Sequence, residues 1–102
     1  MTLPNEVTER IEEAIDDWLL NIDEIAEAGM IFLEGIGIEP TLETLLSYTA
    51  GVIDSIAGSF IDYLYDRGMT AEEDEELIEL IKRKIPELEL KFKEFLEQKG
   101  KG

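Results

Sequence analysis

The chain contains no cysteine and no histidine. Without cysteine, disulfides, thiolate metal sites and thiol nucleophiles are excluded, and the redox compartment leaves no mark. Without histidine, the commonest general base, the commonest transition-metal ligand and the usual switch near neutral pH are missing as well. Any catalysis would rest on carboxylates, hydroxyls, lysine or arginine. Side-chain amides are scarce too: Gln98, Asn5 and Asn21 are the full complement. Together with abundant Glu, Lys and Ile, that scarcity gives a thermophile-like composition.

Positive charge is the next shortage. From Ile11 to Asp66 there is no lysine or arginine against thirteen acids, and the net charge of the whole chain is −16. Binding nucleic acid through its phosphates needs basic surface, so direct nucleic-acid contact is excluded as an expectation. The C-terminal segment differs, with seven bases to four acids from Lys82 onward. An acidic body therefore carries a mildly basic tail.

Long hydrophobic runs are also wanting. The first ten residues, MTLPNEVTER, show no basic region followed by an apolar core, and no apolar run reaches the roughly 20 residues of a membrane span. The expectation is a soluble, cytoplasmic chain with no membrane contact. At 102 residues it reads as a single domain, 1–102, near the size where a second subunit often completes the burial.

Helical periodicity is what the sequence does contain. The organising stretch is Thr41 to Tyr65, where Leu42, Leu45, Thr49, Val52, Ile56, Phe60 and Tyr63 recur at steps of three and four. A second face of the same helix, through Gly51, Asp54, Ser55 and Gly58, is small or acidic and reads as a helix interface. Before it, Ile11, Ile15, Trp18, Ile22, Ile25, Gly29 and Phe32 form a heptad-like seam. After it, Thr70 and Glu73 make a capping box, and Leu77, Ile78, Ile81, Ile85, Leu88, Phe92, Phe95 and Leu96 continue a stripe that Pro86 interrupts.

These patterns predict an all-α, antiparallel bundle of three long helices. One covers about residues 4–33, with Thr2, Pro4 or Asn5 at its start. The second covers about 41–67, leaving near Arg67 and Gly68. The third covers about 70–85 and is kinked at Pro86, or split there so that 86–98 restarts as a fourth helix. Turn residues Gly35, Gly37 and Pro40 separate the first two. The apolar stripes exceed what three helices of one chain cover, which predicts a homodimer.

Three features bear on chemistry. Glu9, Glu13, Asp16, Asp17, Glu24 and Glu27 share the outer side of the first helix, where like charges at helical spacing cost a few tenths of a kcal/mol each. They suit a basic protein partner. The run Glu72, Glu73, Asp74, Glu75, Glu76 offers oxygen ligands, but successive helical residues point apart and no calcium-loop spacing is present. It reads as a helix N-terminus enriched in acids. Asp54-Ser55-Ile56 resembles the attachment site of acyl and peptidyl carrier proteins, which would imply a phosphopantetheine arm on Ser55. The resemblance stops at those residues, because the carrier serine opens a helix whereas LLSYTA before Ser55 reads as helix.

No residue set is assigned to catalysis, a metal or a cofactor. The expected function is that of a non-enzymatic acidic helical interaction protein, binding a basic protein partner or assembling into a complex. Its sharper form is a nucleic-acid-mimicking inhibitor. The alternative is a magnesium-dependent carboxylate enzyme, such as a nucleotide hydrolase of the all-helical type.

Overall fold

A computed structural model describes residues 3–101 of the chain. Four helices form, α1 (Asn5–Leu20), α2 (Ile22–Gly35), α3 (Leu42–Tyr65) and α4 (Ala71–Lys101), with no strand among the described residues. The all-α class agrees with the periodicity. Its division differs at Asn21, where the first helix breaks, while at Pro86 the last helix continues, one of the two expected outcomes, rather than restarting.

Burial explains the break at Asn21. Val7, Ile11 and Ile15 of α1 enter one apolar cluster with Leu3, Ile53, Ala57, Ile61, Leu77 and Leu80. Ile25, Ala26 and Leu33 of α2 enter a second, with Leu45, Leu88, Phe92 and Phe95. One straight helix would have to serve both clusters with a single face. Asn21, at φ −140° and ψ 75°, turns the chain so that each half faces its own, and leaves Leu20 88% exposed at the elbow. Trp18 and Leu19 pack against both clusters and join them.

Pro86 lies on the exposed side of α4. There the carbonyl of Lys82, one turn back, can turn to water for the donor that proline lacks. Buried Leu77 and Leu80 before it and Leu88, Phe92 and Phe95 after it hold α4 to both clusters, so packing outweighs the local cost.

Within α3 the buried residues are Leu45, Thr49, Ile53, Ala57 and Ile61. They step by four rather than alternating three and four, so the buried face winds around the helix and lets α3 touch each of the other three. Val52, Ile56 and Phe60 flank this face half-buried, while Tyr63, expected on it, is exposed. Thr49 is satisfied by donating to the Leu45 carbonyl at 2.8 Å. By length and composition α3 is also the one helix among the described residues long and apolar enough to cross a membrane, a test that the core helix of a globular protein passes as well. Here it serves as the helix around which the other three pack.

The helix ends follow local chemistry. Thr41 and Thr44 form a reciprocal capping box at the start of α3. Gly37, at φ 83°, ends α2 in a Schellman turn: Ile38 N–H reaches Leu33 O at 2.8 Å and Gly37 N–H reaches Glu34 O at 3.1 Å. At the end of α3 the left-handed position is taken by Asp66, at φ 52°, not by Gly68. Pro4 precedes α1 without a side-chain cap, and Thr2, the alternative start, lies outside the described residues. The particle is elongated, 46 × 26 × 18 Å, with a radius of gyration of 14.5 Å.

Candidate functional site

Glu9, Glu13, Asp16 and Asp17 sit on the side of α1 opposite Ile11 and Ile15, and all four are exposed. Glu24 and Glu27 are exposed on α2, beyond the turn at Asn21. The six therefore occupy two successive helix surfaces rather than one straight face. Of the six, Asp16 alone has a cationic partner among the described residues, Lys84 at 3.4 Å. The other five face water and form no ion pair among the described residues. Such a surface raises the local concentration of cationic ligands and repels anions.

Downstream, the acids of the 72–76 run separate by helical geometry. Glu73 turns inward and is only 2% exposed, held by Arg67 in a two-bond fork and by the Thr70 N–H at 2.9 Å. These donors, Arg67 first, lower its pKa to about 2. Glu76 accepts the Leu3 N–H at 2.7 Å and tethers the start of the chain. Glu72, Glu75, Glu76 and Glu79 line an open cleft of about 510 Å³ together with Arg83. Among the described residues, no three acidic side chains are placed to share a metal ion.

Gly51, Asp54 and Ser55 lie on the exposed side of α3. Gly51 has open space around it, and a Cβ at Gly58 would meet Met69 Cε at 3.8 Å. The tight approach between helices is at Gly29 instead, where a Cβ would stand 3.0 Å from Leu45 Cδ2 and 3.1 Å from Tyr48 Cδ2. Asp54 faces another acid, Asp74, across α3 and α4. Partial desolvation, followed by the hydrogen bond and repulsion from Asp74, raises its pKa. Arg67, a cation that might have paired with Asp54, goes to Glu73. Ser55 falls in the middle of α3 and lines a shallow cleft with Arg10, Ile56, Ser59, Phe60 and Tyr63. A mid-helix serine is unlike the helix-opening serine of carrier proteins.

Two features escape sequence reasoning. Tyr65 donates its hydroxyl to Glu6, linking α3 to α1, and Arg67 lies over the Tyr65 ring at 5.4 Å. That hydrogen bond raises the Tyr65 pKa. The second is apolar exposure at the end of α2, at Ile31, Phe32, Ile36 and Ile38. Ile31 lies off the stripe traced by Ile25, Gly29 and Leu33, a departure in period that was readable. No protein-family profile, curated protein or solved structure matches the chain, so its own geometry carries the functional argument.

Proposed function

We propose that the chain is a non-enzymatic interaction protein whose acidic outer surface binds a basic protein partner. The observation that carries this reading is that Glu9, Glu13, Asp17, Glu24 and Glu27 are exposed and none is ion-paired among the described residues. Crowding like charges on helices opposes folding by a few tenths of a kcal/mol per pair, and a basic partner would relieve it. In its sharper form the surface occupies a groove that otherwise receives phosphates.

The connections 36–41 and 66–70 are short, which supports an antiparallel order of α2, α3 and α4 in a bundle. That order would leave the acidic sides of α1 and α2 facing outward together. A homodimer fits this reading less well, since joining two chains of net charge −16 sets acid against acid over most of the surface.

The test is capture from the native cell extract at low salt, followed by salt elution, with the chain and with a variant neutralised at all six positions. The variant carries Glu9→Gln, Glu13→Gln, Asp16→Asn, Asp17→Asn, Glu24→Gln and Glu27→Gln. A basic protein retained by the first and lost by the second is the expected result. Equal retention by both would sink the reading.

A further inference from the structure

Ile31, Phe32, Ile36 and Ile38 fall within eight residues of chain, and each is exposed. Ile31 is the extreme case at 73%, directly opposite the face that buries Gly29 and Leu33. Ala28 and Gly35, one turn to either side of it, keep that row small and open. Phe32 and Ile36 form the adjoining row, and the Phe32 ring rests tilted against Tyr48 of α3 at 5.4 Å between centroids. The Schellman turn at Gly37 then fixes Ile36 and Ile38 by two backbone hydrogen bonds. This apolar surface is therefore preformed on a rigid helix end.

Its rim has one sign of charge. Glu27 precedes Ile31 by one turn, Glu34 lies between Ile31 and Ile36, and Glu39 and Glu43 follow Ile38; all four are exposed. None is salt-bridged among the described residues, and the nearest bases along the chain are Arg10 and Arg67.

We infer that this end of α2 docks an amphipathic helical segment of the partner, with an apolar side on Ile31, Phe32, Ile36 and Ile38 and lysines or arginines against the glutamate rim. The inference rests on the acidic-surface reading and adds what the partner must present. Charge complementarity selects this occupant over a second copy. Two copies meeting here by a twofold axis would bring eight glutamates around one apolar patch. A head-to-tail copy would bring bases only in mixed company: Lys91 and Lys93 beside exposed Leu90 stand among Glu87, Glu89 and Glu94, and Arg10 beside exposed Tyr63 stands among Glu6, Glu9 and Glu13. Helix-in-groove recognition of this kind reads apolar anchors at i, i+3 or i+4 and i+7 and takes its register from the charges beside them.

The experiment uses the full chain and three synthetic peptides of equal length. One has leucines on a single helical face and lysines elsewhere, the second is a scramble of it with no apolar face, and the third carries glutamates for the lysines. Affinity is measured by fluorescence anisotropy at low and at physiological salt, and the bound surface is mapped by amide chemical shifts. The amphipathic lysine peptide is expected to bind about ten-fold more tightly than its scramble, to shift Phe32, Ile36 and Ile38, and to exceed the glutamate peptide. The double variant Ile31→Ser, Ile36→Ser should bring the two lysine peptides to parity, and both sites are exposed, so the variant should melt like the parent.

Equal binding of both lysine peptides to the parent chain would overturn the docking inference while leaving the acidic-surface reading in place. Failure of both lysine peptides to bind at low salt would overturn both readings. Shifts confined to Leu90 or Tyr63 would place the docking elsewhere and end the inference. So would a parent dimer in sedimentation that Ile31→Ser dissociates, because the occupant would then be a second copy.

Discussion

Arg67 grips Glu73 with both ends of its guanidinium, Nη1 donating to Oε1 and Nη2 to Oε2, each at 2.8 Å. The same Oε1 accepts the Thr70 N–H, and the Thr70 hydroxyl accepts the Glu73 N–H at 3.1 Å. One buried carboxylate thus joins the cap of α4 to the exit of α3.

This arrangement predicts a distinct acid response. The folded pKa of Glu73, about 2, lies below its usual 4.5, so its ionised form stabilises the fold fully above about 4.5 and that contribution is lost as pH falls through about 2. Glu73→Gln keeps the capping box but removes the charge. At neutral pH it should lower stability by about 1–2 kcal/mol, a figure held down because the Arg67 side chain is 41% exposed to screening water. Urea melts of parent and variant should converge on acidification between those two pH values. A constant gap across that window would refute the assignment.

Gly29 and Gly51 predict opposite signs for the same substitution. Ala is favoured over Gly in a helix by about 1 kcal/mol, and Gly51→Ala meets nothing within 4 Å, so it should stabilise by about that amount. Gly29→Ala places its Cβ 3.0 Å from Cδ2 of fully buried Leu45 and 3.1 Å from Tyr48 Cδ2, so both close-packed side chains must give way by a few tenths of an ångström. Overpacking of this kind costs about 1–3 kcal/mol and should outweigh the propensity gain. Thermal melts of the two variants test this directly, and a stabilised Gly29→Ala would show that Leu45 and Tyr48 yield to the added methyl at little cost.

Pro86 predicts a gain. Its α4 continues on both sides, so the missing hydrogen bond and the clash with the Lys82 carbonyl are carried in the folded state. Pro86→Ala should stabilise by about 2 kcal/mol, somewhat under the full helix-interior penalty because proline also restricts the unfolded chain. If the variant melts lower than the parent, Pro86 serves a contact outside this chain.

The same residues show how far the sequence could be read. Thr41, Gly37 and the Thr70–Glu73 pair marked helix ends correctly because capping is local chemistry, complete within a few residues. Asn21 gave no such sign, since the chain turns there to let Ile15 and Ile25 reach different clusters, a demand set by distant Ile53 and Phe92. Pro86 left continuation and restart both open, and packing on either side of it decides for continuation. The six acidic residues of α1 and α2 were legible as exposed because charge seeks water. The apolar end of α2 was legible only in part: Ile31 departs from the period, but Phe32 continues the seam and resembles a core residue until the position of α3 is known.

Asp54 and Asp74 supply a prediction with the reverse pH sign. Partial desolvation and the neighbouring Asp74 carboxyl raise the Asp54 pKa above its usual 3.8, so the folded state holds a proton more firmly than the unfolded chain does. Stability from this group therefore falls as pH rises from 3.8 through the raised value, and above that the two carboxylates repel. Asp54→Asn removes the repulsion and can still hydrogen-bond Asp74. Because Asp54 is exposed, the gain at neutral pH should be only a few tenths of a kcal/mol, shrinking in high salt and vanishing below the usual carboxylate pKa. Chemical melts at neutral and acid pH, each at two salt concentrations, would read it. A loss of stability at neutral pH would mean that a cation bridges the pair in solution, because removing one carboxylate then costs a ligand instead of relieving a repulsion.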